Sequence, residues 1–229
     1  MEKKYPQHFA IIPDGCRRWA KERNQMPWEG HKKGVEVIEE LLQWFVDTYP
    51  TKYITGYGLS IENFNRAKNQ LDALAMLYSK HFMRIANDER THKNEVRVQV
   101  LGRVDLLPKK VQKAIKSAEE ATKDYDKHIF NIALAYSGRS EIVDAVKKLN
   151  EAGSEISEEN ISKNLYQPDV PEPDMIFRSS GEQRVSNFLL WQGAYSELFF
   201  VDKYWPDVTK EDIAKAMDEF DSRQRRYGT

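Results

Sequence analysis

Short β-rich runs alternate with longer helical periods along the whole chain, and this alternation limits the fold more than any other feature. Six runs read as strands: His8 to Ile12, Tyr53 to Ser60, Val96 to Gly102, Ile129 to Tyr136, Asp174 to Arg178 and Leu198 to Val201. Each is short and carries β-branched or aromatic residues. Helix-spaced apolar residues separate them: Val35, Ile38, Leu42 and Phe45, then Leu71, Leu74, Tyr78, Phe82 and Ile85. Two more sets follow, Ile142, Val146 and Leu149, then Ile213, Ala216, Met217 and Phe220. This order predicts an α/β fold: a mostly parallel central sheet of about six strands with helices on both faces. With no internal repeat and no low-complexity linker, the 229 residues read as one domain, 1–229. Asn150 to Glu155 and the proline-rich Gln167 to Asp174 read as loops.

Composition removes several classes of function. Hydrophobic residues make up 40%, enough for a core, while 35 basic residues nearly cancel 36 acidic ones. A nucleic-acid binder normally shows a basic excess, so that class is disfavoured. The lone cysteine, Cys16, cannot form an internal disulfide and fits a reducing compartment. No apolar run approaches the ~18 residues of a membrane span, and the start MEKKYPQHF lacks the core of a signal peptide. A cytoplasmic protein is expected.

In an open parallel sheet, ligands bind beyond the carboxyl ends of the strands, so the segments after each strand carry the chemistry. The first is IIPDGCRRWA, Ile11 to Ala20. Pro13 and Gly15 make a turn, and a helix starts near Cys16 with unpaired N–H groups that favour an anion. Arg17 and Arg18 stand in its first turn, where the dipole disfavours cations, so a phosphate is a natural compensating group. Asp14 repels phosphate unless a divalent cation such as Mg²⁺ lies between them. Alternatively Asp14 caps the helix and both arginines are solvated, and on this segment alone the two readings stand even. The segment RSSGEQRVS places Arg178, Arg184 and Ser186 around a glycine turn, a set well matched to a diphosphate. Its plain alternative pairs both arginines with surface carboxylates.

The runs HFAIIPDGCRRWA and GHKKG resemble the cis-prenyltransferases, the family of undecaprenyl diphosphate synthase, whose opening pattern is HxAxIMDGNxRWA. The resemblance continues through GLSIENFNR, RSSGEQRVSNFLLWQ, AYSELFF and the final RRYG, in order over nearly the whole chain. It implies an α/β dimer that extends an allylic diphosphate with isopentenyl diphosphate, leaves a Z double bond and uses Mg²⁺. Asp14, His31 and Asn63 then fall on catalytic positions. Gly15, Cys16, Arg17, Arg18, Trp19, His31, Ser60 and Arg66 fall on the allylic diphosphate site. Arg178, Arg184 and Ser186 fall on the isopentenyl diphosphate site, joined by Arg226 and Gly228 of a tail that reaches across a homodimer. Glu197 matches a carboxylate that helps Asp14 hold the metal. Leu74, Leu77, Tyr78 and Phe82 match the helix lining the product tunnel, although such a stripe is also plain core. The lipid product implies peripheral contact with a membrane.

Four positions depart from the family pattern: Cys16 for Asn, Arg17 for Gly, Pro27 for Arg and Gln183 for His. Cys16 reads as a passive small residue rather than a nucleophile. Because carbon–carbon bond formation needs near-contact geometry, these departures predict a short or irregular product, or an unusual acceptor, with regular Z-elongation as the default. A catalytically silent partner subunit is a third reading, opposed by retention of Asp14, both loop arginines and Glu197. A phosphate-binding regulatory module leaves the apolar helix unexplained.

Overall fold

All five residues of β1 (His8–Ile12) are buried, as befits a strand covered on both faces. The computed structural model describes residues 3–223. After β1 come α1 (Cys16–Glu22), α2 (Pro27–Thr48), β2 (Tyr53–Ser60), α3 (Lys68–Ile85), α4 (Glu89–Lys93) and β3 (Val96–Leu101). Then follow α5 (Lys109–Thr122), β4 (His128–Tyr136), α6 (Gly138–Glu151), α7 (Glu158–Asn164), β5 (Met175–Arg178), β6 (Glu197–Phe200) and α8 (Lys210–Ser222). The strands form one six-stranded sheet in the order β3-β4-β2-β1-β5-β6, every neighbouring pair parallel.

The period of two along each strand divides the core. Phe9 and Ile11 of β1, with Met175 and Phe177 of β5, pack against Val37, Leu41 and Phe45 of α2 and Ile213, Met217 and Phe220 of α8. Ala10, Ile12 and Ile176 belong to the opposite face, with Phe188 and Leu189. Leu74 and Phe82 of α3 meet Val111, Ala114, Ile115 and Ala118 of α5 over Val98 of β3.

After β1 and β2 the chain lays down the edge strand β3 and then inserts β4 between β2 and β3, before returning to the far side of β1 for β5 and β6. This reversal opens a crevice beyond the carboxyl ends of β1 and β5, where Ile12 pairs in register with Arg178.

Each strand lies within one residue of its expected ends. The loop expected from Asn150 begins later, because α6 continues through Glu151 before Gly153 turns at φ +63°. The sequence reading named no helical set between β3 and β4, yet α5 buries Val111, Ala114, Ile115, Ala118 and Thr122 at helical spacing. Among the described residues, no helix is long and apolar enough to cross a membrane.

Candidate active site at the switch point

Asp14 lies two residues beyond β1, and its backbone is fixed from two sides. Its N–H donates to Ser179 Oγ at 2.9 Å, and its carbonyl accepts the Trp205 N–H at 2.9 Å. Gly15 follows at φ +95°, and a Cβ there would stand 2.5 Å from the Tyr204 ring, so the turn into α1 requires glycine. Asp14 Oδ1 accepts the Gly15 N–H at 2.6 Å. Asp14 Oδ2 accepts from Arg178 Nη2 at 2.8 Å, Ser180 Oγ at 2.9 Å and Arg18 Nη2 at 3.4 Å. Partial burial works to raise this carboxyl's pKa, but the bonds from Arg178, Ser180 and Gly15 outweigh it and hold Asp14 below the ordinary range, as an anion.

The two expected diphosphate sites therefore meet at one carboxylate. Arg178 is only 3% exposed, and its Nη1 donates to Ser186 Oγ at 2.7 Å and to the Arg184 carbonyl. Its Nε is buried without a partner among the described residues. Arg18 donates to Ser180 Oγ at 2.8 Å and to Glu182 at 3.2 Å, while the Arg184 guanidinium pairs with the other Glu182 oxygen.

A cavity of about 990 Å³ opens from this cluster. At its head stand Gly15, Cys16, Arg17 and Arg18 from the start of α1, His31 from α2, and Arg178 and Ser186. Ser60, Asn63 and Arg66, on the segment after β2, complete the head. Neither Arg17 nor Arg66 has a carboxylate within ion-pair range among the described residues. Burial, then Arg66 and Arg17, push the His31 imidazole down to about 4, and burial and Arg17 also lower the Arg66 value. In both, burial is the larger cause and a neighbouring guanidinium the next, and an anion at the head would relieve the second. Away from the head, Leu74, Leu77, Tyr78 and Phe82 of α3 face Val35, Ile38 and Leu42 of α2. Ile54, Phe130 and Ile132 of the sheet complete this apolar length.

The spacing in GHKKG has a packing cause. A Cβ at Gly30 would fall 1.9 Å from the Cys16 carbonyl oxygen, and one at Gly34 would fall 2.9 Å from Cys16 Sγ, so both glycines let α1 cross close over α2. Burial, aided by Asp14, pushes the Cys16 thiol up to about 12, which keeps it neutral, in keeping with a packed small residue. Pro27 starts α2 at its first position, where a missing N–H costs nothing.

Other expected residues lie elsewhere. Trp19 does not line the cavity; its Nε1 donates to Asp207 at 2.7 Å, and Arg23 stacks 4.3 Å over its ring. Arg184 is exposed and held by Glu182 outside the cavity. Glu197 corrects the expected metal pair. It opens β6 in register with Met175, whereas Asp14 lies beyond Ile12 and Arg178, so the carboxylates occupy opposite ends of the sheet in one chain. Arg223 Nη1 holds Glu197 at 2.6 Å. Asn63 caps no helix: it sits within a 3₁₀ turn, Ile61–Asn65, and its carbonyl accepts the Arg66 N–H at 3.0 Å. Arg226 and Gly228 lie outside the described residues. Among those residues no group of three or more His, Cys, Asp or Glu is arranged for a metal.

Sequence reading passed over Ser179, Ser180 and Glu182. Ser180 adopts φ +83°, a left-handed conformation unfavourable for serine, and its N–H donates to the Lys203 carbonyl at 2.6 Å. The two hydroxyls before a glycine in RSSG were the available signal. A cationic head joined to an apolar tube suits an amphiphile with a phosphate head and a hydrocarbon tail.

Comparison with known proteins agrees. Residues 12–228 match the family model described as "Putative undecaprenyl diphosphate synthase". A tritrans,polycis-undecaprenyl-diphosphate synthase (geranylgeranyl-diphosphate specific) of Methanopyrus kandleri is 46% identical over 234 residues, 99% of this chain and 86% of the relative. A synthase of the same name from Pyrococcus horikoshii is 47% identical, covering 97% of this chain and 87% of the relative. Among solved structures, lavandulyl diphosphate synthase from Lavandula x intermedia, in complex with dimethylallyl diphosphate, superposes with TM-score 0.91. It shares 32% identity and covers 98% of this chain and 99% of that one. The names of the archaeal relatives do not favour irregular condensation. From the switch-point cavity to these matches along its length, the chain belongs to the undecaprenyl diphosphate synthase family and is a cis-prenyltransferase.

Proposed function

We propose that the protein extends geranylgeranyl diphosphate with successive isopentenyl diphosphate units to a long Z-polyprenyl diphosphate. The observation that carries this reading is the continuity of the cavity, from Arg17 and Arg66, which have no carboxylate partner among the described residues, to the apolar face of α3. The names of the archaeal relatives support the choice of primer.

In this reading Arg17, Arg18, Arg66, His31 and Ser60 hold the allylic diphosphate, with Gly15 and Cys16 shaping the turn beneath it. Arg178 and Ser186 hold isopentenyl diphosphate, and Arg184 joins them when it leaves Glu182. Asn63 closes the head of the cavity over the reacting carbons. The allylic C–O bond breaks as diphosphate departs, the alkene of isopentenyl diphosphate attacks the allylic carbon, and a proton leaves. Donors fixed before the reaction stabilise the departing charge without reorganising. The apolar walls exclude water from the allylic cation.

Asp14 is the carboxylate suited to Mg²⁺. It is anionic, and its Oδ1 accepts only the Gly15 N–H among the described residues, which leaves a lone pair free. A single carboxylate fits a cation that arrives with its substrate phosphates, as Mg²⁺ often does. When bound, Mg²⁺ would supply charge neutralisation at the departing diphosphate.

The reading extends to a homodimer with one catalytic domain per chain, in the cytoplasm, meeting a membrane to deliver its lipid. Edge strand β6 supports the dimer, since Leu198 and Phe200 are each 37% exposed there and an exposed apolar edge needs cover. Light scattering should give twice the chain mass; a fully active monomer would refute the dimer.

The test of the reaction is mass spectrometry of products from purified protein, Mg²⁺, isopentenyl diphosphate and a ladder of allylic primers. Long regular Z-products, most efficient from the geranylgeranyl primer, are expected. Absence of elongation, or branched products from an allylic substrate alone, would overturn the reading.

A further inference from the structure

Asn187 does not line the cavity, yet it joins two of the segments that form the head. It directly follows Ser186 on the loop after β5, and both hold a left-handed backbone, φ +50° at Ser186 and +65° at Asn187. Asparagine tolerates that conformation better than most residues. Its carbonyl accepts the Gly138 N–H at 2.9 Å, and its Oδ1 accepts the Arg139 N–H at 3.0 Å. Two donors at the start of α6 are thereby satisfied, and the loop is anchored on that helix. The side-chain nitrogen donates at 2.7 Å to Ser137 Oγ and at 2.7 Å to Glu62 Oε1, so both amide hydrogens are engaged.

Glu62 lies 125 residues away in sequence, within the 3₁₀ turn Ile61–Asn65. Ser60, Asn63 and Arg66 flank it on the same segment, and all three line the head of the cavity. Burial works to raise the Glu62 pKa, but hydrogen bonds from its own N–H, Asn187 and Ser60 outweigh it and keep the carboxyl an anion. The bond from Asn187 is therefore charge-assisted, the stronger kind. Capping α6 uses the acceptors of Asn187; the bond to Glu62 lies outside the cap and ties one substrate segment to the other. We propose that Asn187 is a positioning residue that holds the Ser60–Arg66 segment against Ser186 and so sets the separation of the two reacting carbons. The proposal rests on the assignment of Arg66 to the allylic diphosphate and Ser186 to isopentenyl diphosphate.

The experiment compares wild type with Asn187→Asp, Glu62→Gln and the double exchange of both. Asn187→Asp keeps an acceptor for the Arg139 N–H, and the Ser137 hydroxyl can rotate to donate, so α6 stays capped. It sets a second carboxylate against Glu62. Turnover should fall about 10-fold while KM for each substrate stays within about threefold, because the loss lies in relative placement. Glu62→Gln alone keeps an acceptor for Asn187 and should turn over within about twofold of wild type. In the double exchange the new amide donates to the new carboxylate, and turnover should recover to within about threefold of wild type. Wild-type turnover in Asn187→Asp, or a double exchange as slow as Asn187→Asp, overturns the proposal. So does a loss of turnover that only follows a lower melting temperature, which would leave Asn187 a cap for α6. Should Asn187→Asp fail to fold, Glu62→Ala removes the bond and spares the cap. It should lose turnover about 10-fold at an unchanged melting temperature, and wild-type turnover is again contrary. Hydrogen exchange of residues 60–66 reads the bond without turnover: it should quicken in Asn187→Asp and in Glu62→Ala, and return to the wild-type rate in the double exchange. Unchanged exchange overturns the proposal, whereas wild type that elongates no allylic diphosphate refutes the assignment of the two sites instead.

Discussion

Asp14 ties together the two segments proposed to hold the diphosphates. Arg18 and Arg178 come from segments 160 residues apart, yet both donate to its Oδ2. The arginines differ in what restrains them: Arg17 and Arg66 have no acidic partner among the described residues, whereas Arg184 is paired with Glu182. Kinetics should separate them. Arg66→Ala should raise KM for the allylic diphosphate, and Arg184→Ala should raise KM for isopentenyl diphosphate. Each rise should be on the order of 10- to 100-fold, the value of one charge-assisted hydrogen bond. Equal effects of either variant on both substrates would contradict the division. Much of this chemistry was legible in residue types, because arginines around glycine turns suit diphosphates wherever they fold. Trp19 and Glu197 were not legible, since their partners Asp207 and Arg223 are chosen by tertiary packing. Nor was the bridging by Glu182, which joins arginines on separate segments.

At the scale of elements, α1 must lie within contact of α2 for Arg17 and Arg18 to face the cavity, and Gly30 permits it. In Gly30→Ala the new methyl would overlap the Cys16 carbonyl at 1.9 Å, so α1 must move. Overpacking of this kind typically costs about 1–3 kcal/mol. The urea midpoint should fall accordingly, and turnover should fall with it because the arginines ride on α1. Wild-type midpoint and turnover would show that the crossing tolerates a side chain. The strands were readable because runs such as His8–Ile12 are buried throughout and rich in β-branched or aromatic residues. The helix α5 was passed over although Val111, Ala114, Ile115 and Ala118 stand at helical spacing; only two of these four are large apolar residues, and lysines flank them closely.

For the whole molecule, pH links core and site. His8 is 3% exposed, with Nδ1 on the Pro171 carbonyl at 2.6 Å and Nε2 on Thr55 Oγ1 at 2.7 Å. Burial pushes its pKa down to about 4, against hydrogen bonding to Pro171, which works to raise it. An unfolded histidine titrates near ~6.5, so between that value and about 4 the unfolded chain binds the extra proton. Stability should be full above that window and fall as pH drops through it, by about 1.4 kcal/mol per unit of depressed pKa. His31, lowered in the same direction, adds to the loss. Urea midpoints that stay constant from neutral pH to about 4.5 would contradict this assignment.

The central claim is that Asp14, as an anion among fixed donors, enables departure of the allylic diphosphate. Asp14→Ala would also strand the buried Arg178 guanidinium, so Asp14→Asn, which keeps an acceptor in place, tests the chemistry more cleanly. The measurement is Mg²⁺-dependent diphosphate release with saturating allylic and isopentenyl diphosphates, beside a thermal melt of each protein. Asp14→Asn should lose ~10²–10³ in turnover while still folded at the assay temperature. Near wild-type turnover in Asp14→Asn would contradict the claim.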